Sequence, residues 1–146
     1  MMTRILIVED DPLVLELHRQ FVSTMEGFTV AATATGGNQA LEFLENNPVD
    51  CLLLDIFMPD FDGLELLKRM RERTVDTDVI IISAANEGDK VKEALRLGAF
   101  GYLLKPFRYE RLRSMLCALK EHQGEIRRKK VVGSQEDIDR AFDPGL

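Results

Sequence analysis

Short apolar runs recur along the chain, separated by longer stretches in which apolar residues return with a helical period. Ile5-Leu6-Ile7-Val8, Cys51-Leu52-Leu53-Leu54, Val79-Ile80-Ile81-Ile82 and Gly101-Tyr102-Leu103-Leu104 are continuous runs, and Phe28–Ala34 is β-branched and extended. Runs of this length suit strands buried on both faces of a parallel sheet. After the first run, Asp11 is placed to cap a helix with Pro12 at its first position, where a missing N–H costs nothing. Leu13, Val14, Leu17 and Phe21 carry that helix to about Thr24. A second helix opens at Gly37 or Asn38, carries Ala40, Leu41 and Leu44, and stops at Asn46-Asn47-Pro48. The breakers Pro59-Asp60-Phe61-Asp62-Gly63 precede a third helix, with Leu64, Leu66, Leu67 and Met70 inside and Lys68, Arg69, Arg71 and Arg73 outside. Val91, Ala94 and Leu95 mark a fourth, with Gly98 as its C-terminal cap, and a fifth starts near Tyr109.

Repeated strand–helix units force right-handed crossovers and a parallel sheet covered by helices. The predicted fold class is α/β, a flavodoxin-like doubly wound (βα)5 arrangement with strand order 2-1-3-4-5. In that order strands one, three, four and five are consecutive neighbours. Their ends carry Glu9-Asp10, Asp55, Ser83 and Lys105, whereas strand two ends without a charge. Open α/β sheets place their sites along this edge. Carboxylates and an ammonium converging there make a place for a divalent cation and a phosphoryl group.

Composition narrows the partners. A net charge of −6 opposes nonspecific binding to a phosphate backbone, and any DNA contact is expected only through a basic domain outside this chain. No apolar stretch approaches the ~20 residues of a membrane span, so no membrane partner is expected and the cytoplasm is the default. Cys51 and Cys117 are expected as buried packing residues, and His18 and His122 as surface or boundary residues.

The acidic pair in Val8-Glu9-Asp10, the segment Asp55-Ile56-Phe57-Met58-Pro59 with Asp62-Gly63, Ser83-Ala84, and Lys105-Pro106-Phe107 stand in an order that resembles the receiver domain of two-component response regulators. The likeness covers residues 4–122. It implies that Asp55 accepts a phosphoryl group from a sensor histidine kinase, with Mg²⁺ as cofactor. Asp10 would be a direct ligand of that ion, Glu9 would act mainly through a metal-bound water, and the backbone carbonyl of Phe57 would supply a further oxygen. Lys105 and Ser83 would contact phosphoryl oxygens, and a cis bond before Pro106 would help aim Lys105. Ser83 and Tyr102 would form the conformational switch. The surface of helix four, strand five and helix five would be the output face and the route to a homodimer. Phe57 and Ala85 flank the site where the family varies residue type to set phosphoryl lifetime. The resemblance also implies a signalling domain rather than an enzyme, with self-catalysed phosphoryl uptake and hydrolysis.

Residues 123–146 read as a helical extension. Leu112, Leu119 and Ile126 recur along the fifth helix, and Arg127-Arg128-Lys129-Lys130 forms a basic cluster near its end, where the helix dipole favours cations. Ser134-Gln135-Glu136-Asp137 can cap a further short helix. This tail, with Phe21-Val22, Ser83-Ala84-Ala85 and Lys105-Pro106-Phe107, is similar to citrate- and C4-dicarboxylate-responsive regulators, and implies a helix-turn-helix effector beyond residue 146. A stand-alone receiver that binds a target protein or relays phosphate is the alternative. Two other α/β readings fit poorly. A haloacid-dehalogenase-type phosphatase needs a second acid where Phe57 stands, and a nucleotide module would not place Glu9-Asp10-Asp11 in its phosphate loop.

Overall fold

The computed structural model describes residues 2–128. Ten elements alternate: β1 (Thr3–Val8), α1 (Pro12–Ser23), β2 (Phe28–Ala34), α2 (Gly37–Asn46), β3 (Cys51–Leu54), α3 (Gly63–Glu72), β4 (Asp78–Ser83), α4 (Gly88–Arg96), β5 (Gly101–Leu104) and α5 (Tyr109–Arg128). The strands form one parallel sheet in the order β2-β1-β3-β4-β5, as the alternation predicts. Residues up to Leu112 form one compact unit, and a second begins at Arg113. The basic cluster's side chains and the capped segment from Ser134 lie outside the described residues.

The central strands are apolar because helices cover both their faces. Ile5 to Val8, Cys51 to Leu54 and Val79 to Ile82 are all buried. Leu6, Val8, Leu52, Leu54, Val79 and Ile81 belong to the core cluster on one side, with Leu64, Leu66, Leu67 and Met70 of α3. The edge strands are less enclosed: Leu104 on β5 is 45% exposed, against the expectation of a run buried throughout. Asp11 caps α1 through its side chain, which accepts from the amides of Leu13 and Val14, with Pro12 in the first turn. Gly98 follows the α4 C-cap with φ +77°, the left-handed conformation that glycine adopts without Cβ strain.

Several residues face differently from their expected positions. Leu13 and Leu17 on α1 are exposed, and the buried stripe is instead His18 and Val22. The helix carries apolar residues on two faces, and only one meets the sheet. His18, expected near the surface, is buried because its ring joins Phe107 and Tyr109. On α4 only Ala94 is buried, while Val91 and Leu95 are exposed. Cys51 is buried but Cys117 is exposed, one position off the buried stripe Leu112, Leu116 and Leu119. Arg71 is not a free surface cation: its guanidinium donates to the carbonyls of Val75, Thr77, Leu97 and Gly98.

Candidate functional site

Parallel register brings the expected residues to one edge. Val8 pairs with Leu54 and Ser83 with Leu104, so Glu9 and Asp55 follow one pair and Lys105 follows the other. The backbone continues the ladder past the strands: Asp55 N donates to Val8 O at 3.1 Å, and Lys105 N to Ser83 O at 2.9 Å. Carboxylate oxygens of Glu9, Asp10 and Asp55 all lie within 4.8 Å of one another. Lys105 Nζ reaches between two of them, 3.0 Å from Glu9 Oε1 and 3.2 Å from Asp55 Oδ2. The peptide bond after Lys105 is cis.

Burial makes this a charged cluster under stress. Glu9 and Asp55 are buried and Asp10 is exposed. Desolvation pushes the Glu9 carboxyl up to about 7, the Asp55 charge adds to that, and hydrogen bonds from the Asp11 amide and Lys105 oppose it. For Lys105 burial works against the charged form. The Glu9 hydrogen bond and the charges of Asp55 and Glu9 outweigh it and hold the ammonium above its ordinary value.

One ammonium does not balance three carboxylates. The donor set is all oxygen, two of its members are desolvated, and their spacing allows a shared ion, so a hard divalent cation fits these residues. Phe57 lies two residues beyond Asp55, and its amide donates to Asp55 Oδ1 at 3.2 Å. Its side chain is 53% exposed.

Ser83 is fully buried at the end of β4, where its Oγ accepts from the Ala85 amide at 3.2 Å. Tyr102 on β5 is half-buried against the core, and its hydroxyl donates to the Ala85 carbonyl. Burial raises the Tyr102 pKa, with the nearby Ser83 hydroxyl acting the other way. Ser83 and Tyr102 therefore meet at one short backbone segment.

Two features near the site were not anticipated from the sequence. His18 packs behind Lys105, with Nδ1 3.0 Å from the Tyr109 hydroxyl and Nε2 buried without a partner. Together with Val14, Ala84, Lys105, Pro106, Phe107 and Tyr109 it lines a cleft of about 430 Å³. Asp60, from the loop after β3, hydrogen-bonds the first amides of α2. A readable trace of the second was present: α2 opens on Gly36-Gly37, neither of which has a capping side chain.

A parallel 2-1-3-4-5 sheet with acids and a lysine at its C-terminal edge defines a doubly wound α/β domain with an acidic site. The sequence profile of the response regulator receiver domain matches residues 5–117, and the chain belongs to that family. It is the receiver domain of a two-component response regulator, a signalling domain of the kind phosphorylated by histidine kinases. It is 44% identical over 122 residues to the transcriptional regulatory protein MalR of Bacillus subtilis, covering 84% of this chain and 52% of that protein. It is 39% identical over 136 residues to the Probable C4-dicarboxylate response regulator DctR of Halalkalibacterium halodurans, covering 93% of this chain and 59% of that protein. The chain thus spans little more than half the length of these relatives. Among solved structures, the signal receiver domain of a putative Luxo repressor protein from Vibrio parahaemolyticus superposes with TM-score 0.80 at 27% identity, over 92% of this chain and all of that one. Among the described residues no helix is long and apolar enough to cross a membrane.

Proposed function

We propose that Asp55 is the phosphoacceptor of a transcriptional response regulator and that a sensor histidine kinase is its donor. The observation that carries this reading is the convergence of Glu9, Asp10 and Asp55 with the Lys105 ammonium at one sheet edge. A carboxylate oxygen of Asp55 attacks phosphorus on the kinase phosphohistidine. The P–O bond forms as the P–N bond breaks, and its electron pair leaves with the imidazole nitrogen. In this reading the Lys105 ammonium holds a phosphoryl oxygen and the Ser83 hydroxyl donates to another.

Mg²⁺ is the proposed cofactor, held by Asp10 and Asp55 directly, by the Phe57 carbonyl, and by Glu9 mainly through water. When bound, it neutralises negative charge on the acids and on the transferring group. The chain's own task is placement and the exclusion of stray water.

Output is assigned to α4 and β5, where Val91, Leu95 and Leu104 are exposed apolar residues. Ser83 and Tyr102, joined through Ala85, are the proposed link from Asp55 to that surface. A homodimer through this face and a helix-turn-helix effector beyond residue 146 complete the reading; the relative named as a transcriptional regulatory protein supports the transcriptional part. The test is incubation with Mg²⁺ and acetyl phosphate, read by intact mass. Gain of one phosphoryl group, abolished in Asp55→Asn, is the expected result; a modification that survives Asp55→Asn refutes the assignment.

A further inference from the structure

The loop between β3 and α3 carries both Asp55 and the Phe57 carbonyl, so whatever holds this loop also sets the distance between two proposed metal ligands. At its near end the loop is tied to itself: Gly63 N donates to Ile56 O at 2.7 Å, and Asp62 caps α3 by accepting from Glu65 N at 2.8 Å. Its middle is held from outside. Asp60 Oδ1 accepts from Gly37 N at 3.0 Å and from Phe61 N at 2.9 Å, while Oδ2 accepts from Asn38 N at 2.9 Å. Those are the first amides of α2, whose own N-cap, Gly36, supplies no side-chain acceptor. The helix is capped by another element's carboxylate, and the capping bonds double as a tether.

The neighbouring side chains close the same joint. A Cβ at Gly37 would overlap the Phe61 ring, and one at Gly36 would stand 3.1 Å from both Asp60 carboxylate oxygens. The Arg69 guanidinium also stacks on the Phe61 ring, 4.0 Å from its centroid. Two adjacent glycines therefore let the loop lie directly on the start of α2.

We infer that Asp60 is a positioning residue for the cation site: by capping α2 it fixes the loop that presents Asp55 and the Phe57 carbonyl. It touches neither the metal nor the phosphoryl group. The inference rests on the functional reading above.

The experiment is Mg²⁺ titration by calorimetry, well below each protein's melting temperature, for wild type, Asp60→Ala, Asp60→Asn, Gly36→Ala and Asn47→Ala. Asp60→Ala is expected to weaken Mg²⁺ about fivefold, the equivalent of one lost helix cap. Asp60→Asn, which keeps a capping oxygen, falls between that and wild type. Gly36→Ala presses on the same contact from the α2 side and weakens binding while leaving Asp60 in place. Asn47→Ala removes a hydrogen bond to Phe43 O at the other end of α2 and leaves Mg²⁺ affinity unchanged. Hydrogen exchange should show faster amides at Gly37, Asn38 and Phe61 in Asp60→Ala and not in Asn47→Ala. Unchanged Mg²⁺ affinity in both Asp60→Ala and Gly36→Ala overturns the inference, as does an equal loss in Asn47→Ala. Failure of the wild type to bind Mg²⁺ in an Asp55-dependent way instead overturns the functional reading itself.

Discussion

The Lys105 ammonium stands 3.0 Å from Glu9 Oε1, joining the end of β5 to the end of β1 across the site. Such a contact would ordinarily hold a glutamate ionised, yet the Glu9 carboxyl is pushed up to about 7 because burial outweighs it. The pair is thus incompletely compensated without a cation. Three carboxylates against one ammonium make the cluster able to take a further positive charge.

That imbalance has a measurable consequence for metal-free protein. A carboxyl raised from 4.5 to about 7 on folding contributes stability that is fully present below 4.5 and is lost as pH rises through 7. Relative to Glu9→Gln, wild type in chelator should lose up to about 3 kcal/mol between pH 4.5 and 8. Urea denaturation of both proteins at several pH values reads the difference. Adding millimolar Mg²⁺ at pH 8 should restore much of the loss in wild type and less in Glu9→Gln. A difference that is flat with pH would show that Glu9 is not strained.

His18 pulls the other way. Burial, with the Lys105 charge behind it, lowers its pKa from 6.5 to about 4, so the folded state holds it neutral. Its contribution is fully present above 6.5 and is lost as pH falls towards 4. Against His18→Phe, wild type should lose up to about 3 kcal/mol over that range, again by denaturant titration. Because Glu9 titrates with opposite sign over part of the same window, the difference between variants carries the information, not the raw profile. Direct NMR titration of the His18 ring supplies a second reading: the imidazole should remain neutral at pH 5.5.

Much of the site was legible in one dimension, because a parallel sheet converts the ends of apolar runs into spatial neighbours. Glu9, Asp55, Ser83 and Lys105 each stop such a run, and strand order alone places them on one edge. Burial on the helices was less legible. Leu13 and Leu17 satisfy a helical period as well as Val22 does, and only the covering sheet chooses between faces. His18 reads as a surface residue until Tyr109, 91 positions away, is brought beside it. Asp60 looks like a turn former in a breaker-rich segment. The uncapped Gly36-Gly37 start of α2 shows that a cap must come from elsewhere, but only the tertiary fold makes Asp60 its source.

Arg71 is a similar case with a stability readout. Its guanidinium donates to Leu97 O and Val75 O at 2.8 Å, to Thr77 O at 3.0 Å and to Gly98 O at 3.3 Å, pinning the end of α3 to the end of α4. Arg71→Ala strips a charged donor from all four carbonyls. The expected cost is about 2–3 kcal/mol, moderated because the side chain is partly exposed and water can replace some bonds. Arg71→Lys should recover less than half, since an ammonium cannot fork across two chain segments as a planar guanidinium does. Denaturant midpoints for the two variants check the order; a Lys variant as stable as wild type would mean that charge alone matters.

Phe57 tests the chemistry rather than the fold. The side chain is exposed, two residues beyond the proposed phosphoacceptor, so replacing it opens no core cavity. Its amide bond to Asp55 Oδ1 is made by the backbone and survives substitution. What changes is the bulk and polarity of the side chain two residues from the proposed phosphoacceptor, where water would attack the proposed acyl phosphate. Phe57→Asn should leave the melting temperature and Mg²⁺ affinity close to wild type and speed loss of the phosphoryl group several-fold, followed by intact mass after removal of acetyl phosphate. If the lifetime is unchanged while uptake is normal, the ring is not the barrier.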